Sequence, residues 1–139
     1  MNTKLPINTD LNGKVAVVTG AGGVLCGDFA KVIAASGAKV ALLDINQEAA
    51  QKVADAITTA GGMASAYKCD VLNKESCLQV AELVKADLGS CDILINGAGG
   101  NNPRATTDKE YFEVGDLEGD TRSFFDLESS GVECVCNLN

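Results

Sequence analysis

Residues 14–27 read KVAVVTGAGGVLCG. Val15, Ala16, Val17 and Val18 make a near-continuous apolar run of the kind a strand carries when both its faces are covered. The run passes directly into a turn containing Gly20, Gly22 and Gly23, and a helical pattern follows. Small residues in such a turn let the backbone approach a phosphate. A helix starting just beyond it offers free N–H groups and the positive end of its dipole. A tight strand-to-helix turn needs glycine for its own geometry as well, so the strand before and the helix after are what give the turn a functional reading.

Three further strand-like runs are Lys39–Asp44 (KVALLD), Ala64–Asp70 (ASAYKCD) and Cys91–Asn96 (CDILIN). With Lys14–Thr19 as the first, the starts lie 25, 25 and 27 residues apart. The third run is the least apolar and suits a place nearer a sheet edge. Between the runs are helical patterns over Phe29–Ser36 (Phe29, Val32, Ile33), Gln47–Ala60 (Val53, Ala54, Ile57) and Lys74–Leu88 (Leu78, Val80, Ala81, Val84). Asn46 and Asn73 are placed to cap the last two, and Gly37, Gly61–Gly62 and Gly89 stand where the helices stop. This alternation predicts an α/β fold, a parallel sheet with helices on both faces.

A length of 139 residues and 14.3 kDa fits one domain with a core, and 46% apolar residues exclude wholesale disorder. No apolar run approaches the ~18 residues of a membrane span. Met1 to Gly13 carries no apolar signal segment, so the reading is a cytoplasmic protein. The net charge of −8 argues against nucleic acid or an anionic membrane as partner. It is unevenly spread, with −2 over residues 1–100 and −6 over 101–139. The chain therefore divides into an extension (1–13), the strand–helix units (14–100) and an acidic segment (101–139). In that segment Phe124, Phe125 and Leu127 are expected to anchor a turn or loop onto the sheet, and Val132–Leu138 suits a helix or a strand. Histidine is absent, and the six cysteines read as free, mostly buried thiols, not disulfides or metal ligands.

All four apolar runs end on a polar residue, Thr19, Asp44, Asp70 or Asn96. Polar groups at the carboxyl ends of parallel strands line the crevice where ligands bind. Asp44 lies 24 residues beyond Gly20 and can accept from both ribose hydroxyls of an adenosine while repelling a 2′-phosphate. Ile45, Asn46 and Gln47 bring no cation, which favours NAD over NADP. An Asp here can also cap the next helix. After Asn96 comes Gly97-Ala98-Gly99-Gly100, a loop too small to block a ligand.

At these residues the chain resembles the N-terminal part of the short-chain dehydrogenase/reductase family, with its Rossmann-type sheet. The family's T-G-x-x-x-G-x-G falls on Thr19 through Cys26, its D-V pair on Asp70-Val71, and its N-N-A-G on Asn96 to Gly99. The resemblance implies that Gly20, Gly23, Val24 and Leu25 wrap a pyrophosphate by backbone and that Asp44 holds the adenosine ribose. It places Asp70 at the adenine amino group, Val71 beside the ring, and Asn96, Ala98 and Gly99 along the cofactor towards the nicotinamide ribose. Asn139 takes the place of the catalytic tetrad's Asn, binding a proton-relay water through its main chain. Three positions depart from the pattern. Val24 and Cys26 replace the second and third glycines, and Gly97 replaces the second Asn.

The runs VTGAGGVLC and ILINGAGGNNPRATT are similar to a sugar-acid branch, the mannonate oxidoreductase or fructuronate reductase type. The implied parent reaction is hydride transfer between NAD(H) and a secondary alcohol or ketone, a small-molecule substrate, in a homo-oligomer. The family's catalytic Ser and Y-x-x-x-K have no counterpart, because Tyr67 and Tyr111 are followed at the fourth position by Val71 and Gly115. The chain therefore reads as truncated and inactive alone, with the later strands of the sheet missing. Two other readings stand beside it, a non-catalytic nucleotide-binding or chain-pairing fragment and a methyltransferase using S-adenosylmethionine.

Overall fold

The computed structural model describes residues 9–139, and the part of the N-terminal extension before residue 9 lies outside the described residues. The elements follow the order β1 (Val15–Thr19), α1 (Val24–Ala35), β2 (Lys39–Asp44), α2 (Gln47–Thr59), β3 (Met63–Lys68), α3 (Lys74–Asp87) and β4 (Ile93–Ile95). The strands form one parallel sheet in the order β3-β2-β1-β4. The chain steps from β1 outwards to β3, then crosses back to place β4 on the other side of β1. That reversal puts the switch point at the carboxyl ends of β1 and β4, where this architecture opens a crevice.

Side chains alternate across the strands, so the sheet has two cores. On one face Ala16, Val18, Val40 and Leu42 pack with Ala30 and Ala34 of α1 and Ala50, Ala54 and Ile57 of α2. On the other, Val15, Val17, Ala41, Leu43 and Tyr67 pack with Val80 and Val84 of α3 and with Leu88. Helices thus cover both faces, as expected, and β3 is an edge strand. The capping expectation also holds, since the Asn46 side chain accepts from the Ala49 N–H and the Asn73 side chain from the Ser76 N–H.

Some boundaries and faces differ from the expectation. Helix α1 begins at Val24, five residues before the apolar pattern, and it buries Cys26, Gly27, Ala30 and Ala34 while Phe29 and Val32 are exposed. The reason is closeness. A Cβ on Gly27 would stand 3.3 Å from both the Ala21 carbonyl and a Val53 methyl, so small residues face inwards, with Ile33 half-buried beside them as expected, while Phe29 and Val32 face out. In α3, Leu78 and Ala81 are likewise exposed. Strand β3 ends at Lys68, two residues short of Asp70, and β4 is only three residues long. The six cysteines are free thiols, of which Cys26 and Cys69 alone are buried. Among the described residues no helix is long and apolar enough to cross a membrane.

The chain divides into two compact units, the first ending at Ala98 and the second Gly99–Asn139. The second contains three short 3-10 turns, Pro103–Ala105, Val114–Leu117 and Phe124–Asp126, and the helix α4 (Ser129–Leu138). Val132–Leu138 is therefore helical. The rings of Phe124 and Phe125 are both exposed, and they meet edge-on with centroids 5.8 Å apart. Charged and polar ties organise this unit. Lys109 Nζ reaches Asp116 at 2.6 Å and Glu113 at 3.0 Å, and the Glu113 N–H donates to Asp116 at 2.9 Å.

Leu42 is fully buried at the centre of its core, so Leu42→Ala should lower unfolding free energy by about 2–5 kcal/mol in urea titration. Leu94→Ala, on the exposed side of β4, should change it by less than about 0.5 kcal/mol. In the second unit, the Lys109 hydrogen bond and then the Glu113 N–H hold the Asp116 carboxyl below its usual range. A depressed folded value means this stabilisation is complete above the unfolded carboxylate range, around 4, and is lost as the pH falls through the folded value. Acidification below about pH 4 should therefore shift the Glu113 amide resonance, and Asp116→Asn should abolish that transition.

Candidate functional site

The carboxyl end of β1 is where the chemistry-bearing residues gather. Gly20 has φ of +66°, a backbone state open to glycine. A Cβ there would lie 2.7 Å from the Gly97 carbonyl oxygen and 2.9 Å from Ala98 Cα. The turn after β1 and the loop after β4 thus touch backbone to backbone. Thr19 fixes the same contact from the other side. Its buried hydroxyl accepts from the N–H groups of Gly97 (3.0 Å) and Ala98 (3.1 Å).

The turn then crosses to the end of β2. The Ala21 N–H donates to the Leu43 carbonyl at 3.1 Å, and the Gly22 N–H donates to Asp44 Oδ2 at 2.9 Å. Asp44 Oδ1 accepts from the Asn46 N–H at 2.8 Å. The cap of α2 itself is Asn46, so Asp44 clamps the glycine turn and shapes the β2–α2 corner without being the N-cap. An ionised carboxylate offers about four acceptor positions, and two are taken here, leaving two for further donors.

Helix α1 starts at this turn with Gly23 as N-cap, and no side chain caps it. The N–H groups of its first turn are those a helix leaves without internal partners, and they sit at the positive end of the dipole. Val24 is 88% exposed and Leu25 66%, so their side chains face away from the core and leave the backbone approachable. The sulfur of Cys26 is turned inwards, within 3.7 Å of the Gly97 carbonyl.

The remaining predicted residues are placed as follows. Asp70 lies two residues after β3, half-buried, with Oδ1 accepting from the Leu72 N–H at 3.0 Å, and Val71 is half-buried beside it. Behind them burial, and then the neighbouring Cys77 thiol, push the Cys69 thiol up, which keeps it protonated and inert. Asn96 is exposed directly after β4, and Ala98 is half-buried in the loop held by Thr19. Gly99 and Asn139 belong to the second unit. There the Asn139 amide accepts from the Gly100 N–H at 3.2 Å and donates to the Gly100 carbonyl at 3.1 Å, and a Cβ on Gly99 would come within 2.5 Å of Asn139 Oδ1. Tyr67 donates to Asp87 at 2.9 Å, and burial followed by that bond raises its hydroxyl above the usual range, the opposite of what an acid–base tyrosine needs near neutrality.

Sequence reasoning missed three of these features. They are the Thr19 clamp on the β4 loop, the Gly22–Asp44 bond, and the meeting of Cys26 with Gly97. A threonine ending a strand before a glycine signals the first only once the partner loop is known to be adjacent.

Thr19→Val should cost about 1–3 kcal/mol for each N–H left without its acceptor. Thr19→Ser should keep most of the stability, and urea denaturation of the two variants distinguishes them.

The family model described as short chain dehydrogenase matches residues 14–117. An uncharacterised oxidoreductase of Haemophilus influenzae is 54% identical over 132 residues, 95% of this chain and 46% of that protein. The uncharacterised oxidoreductase UxuB of Bacillus subtilis is 43% identical over 135 residues, 97% of this chain and 48% of its own. A crystal structure from Haemophilus influenzae, assigned provisionally as a D-mannonate oxidoreductase and holding NAD, superposes with a TM-score of 0.89 at 54% identity, over 94% of this chain and 46% of that one. The chain spans about half the length of the curated relatives it matches. Its parallel sheet, its glycine turn on Asp44 and the family match over residues 14–117 together make it a member of the short-chain dehydrogenase family.

Proposed function

We propose that the first unit binds NAD across the carboxyl ends of its strands, as the cofactor-binding part of an oxidoreductase. In this reading the whole protein moves hydride between NAD(H) and a secondary alcohol or ketone of the sugar-acid class, such as mannonate or fructuronate. The observation that carries it is the uncapped N-terminus of α1 opening beside a glycine turn that is itself fastened to Asp44. The turn leaves room for phosphate, the first-turn N–H groups offer donors, and Asp44 keeps acceptor capacity where an adenosine ribose would follow.

Each residue then has a part. The backbone of Gly20, Gly23, Val24 and Leu25 receives the pyrophosphate. Asp44 accepts from the ribose hydroxyls, Asp70 faces the adenine amino group and Val71 lies against the ring. Asn96 and Ala98 line the way to the nicotinamide ribose. The parts that the resemblance gives Gly99 and Asn139 concern the second unit and rest on the family pattern alone. When bound, the nicotinamide supplies the hydride chemistry, and these residues hold and orient it. The proposal includes a cytoplasmic setting, a homo-oligomeric full-length parent, and partners that are small molecules, the charge of −8 arguing against nucleic acid. The sugar-acid substrate class is supported by the provisional assignment of the Haemophilus influenzae structure and by the motif runs around Gly22 and Gly97.

Asp44→Ala should weaken NAD binding by about tenfold or more, the loss expected for hydrogen bonds to a charged acceptor. It should weaken NADP binding less, because the same change removes the carboxylate that repels a 2′-phosphate. Calorimetric titration with both dinucleotides measures the gap. An unchanged preference would refute the ribose role of Asp44.

A further inference from the structure

Two of the three departures from the family's motifs meet in space. Cys26 stands where the family has the third glycine of its turn, and Gly97 stands where it has the second Asn of the loop after β4. In the structure a Cβ built on Gly97 would fall on the Cys26 sulfur. The sulfur is buried and lies 3.7 Å from the Gly97 carbonyl, close enough for a weak S–H donation. Gly97 does not have a positive φ, so its backbone does not itself call for glycine. What bars a side chain there is chiefly the sulfur, with the Thr19 carbonyl 3.0 Å away as the second neighbour.

We infer that Cys26 is a positioning residue for the loop 96–98. Its side chain, coming from α1, supplies the bulk that a side chain at position 97 would otherwise supply from β4. The two departures are then one exchange of volume across the turn–loop contact. The consequence follows from the sheet order β3-β2-β1-β4. Asp44 ends β2 on one side of the glycine turn, and the loop 96–98 follows β4 on the other. A dinucleotide anchored at Asp44 therefore reaches this loop with its far half. Cys26 sets the seat of the nicotinamide half and leaves the adenosine half alone. This functional half of the inference rests on the dinucleotide reading, whereas the exchange of volume does not.

The test is a cycle of C26G, G97A and C26G/G97A, with C26S as the conservative variant. Thermal unfolding and calorimetric titration with NAD and with AMP are measured for each. G97A alone should lower the melting temperature by several degrees, about what one buried steric clash costs a domain of this size. The double variant should recover at least half of that loss, because glycine at 26 vacates the space. C26G alone should reduce NAD affinity by about tenfold and leave AMP affinity within about twofold. C26S, which keeps a donor facing the Gly97 carbonyl, should retain NAD affinity within about threefold.

Additive melting shifts would overturn the exchange of volume. Equal losses of NAD and AMP affinity in C26G, or none, would overturn the positioning role. The melting comparison decides the Cys26–Gly97 exchange whether or not NAD binds. Failure of the unaltered chain to bind NAD or AMP would instead count against the dinucleotide reading.

Discussion

The carboxyl end of β1 is built around a backbone-to-backbone contact that only glycine permits. At Gly20 the chain must turn with φ of +66° while the loop after β4 stands less than 3 Å from where a Cβ would be. Thr19 locks the contact with two accepted hydrogen bonds, and Asp44 holds the far side of the same turn through Gly22. Three strands are thereby tied at one point. The start of α1 and its uncapped N–H groups follow from how this turn is held. A strained or loosened Gly20 would move the helix dipole, the Asp44 carboxylate and the 96–98 loop together.

The sheet itself was largely legible in the residues. Apolar runs starting 25 to 27 residues apart, with glycine stops and asparagine caps between them, define a parallel sheet from local chemistry alone. The weak apolar content of Ala64–Asp70 was enough to place β3 at an edge. What local chemistry could not show was how closely α1 approaches the sheet. Hydrophobic periodicity weights large residues, so it marked Phe29 and Val32, whereas the buried face consists of Cys26, Gly27, Ala30 and Ala34, selected for being small. The same limit applies to Leu78 in α3, which is 57% exposed although it is the largest apolar residue of its pattern.

The candidate site was legible as a set of residue types at strand ends and much less as a network. Asp44 could be located from its spacing to Gly20, yet its bond to the Gly22 N–H depends on a turn geometry that no spacing encodes. The second unit was the least readable. Its aromatic pair suggested an anchor, but Phe124 and Phe125 are exposed, and the order there comes from Lys109, Glu113 and Asp116, which read in the sequence only as part of an acidic stretch. Tyr67 is committed to Asp87, and no lysine stands four residues after either tyrosine. Neither tyrosine of this chain therefore fits the family's Y-x-x-x-K.

The central claim is that a dinucleotide pyrophosphate lies against the first-turn amides of α1. It is tested most directly by titrating isotopically labelled protein with NAD and following backbone amide resonances. The account predicts saturable shifts concentrated at Gly22 to Leu25 and at the Asp44–Asn46 corner, with smaller ones at Gly97 and Ala98. Shifts scattered over the surface or confined to residues outside the carboxyl edge of the sheet, with the α1 amides unmoved, would contradict it.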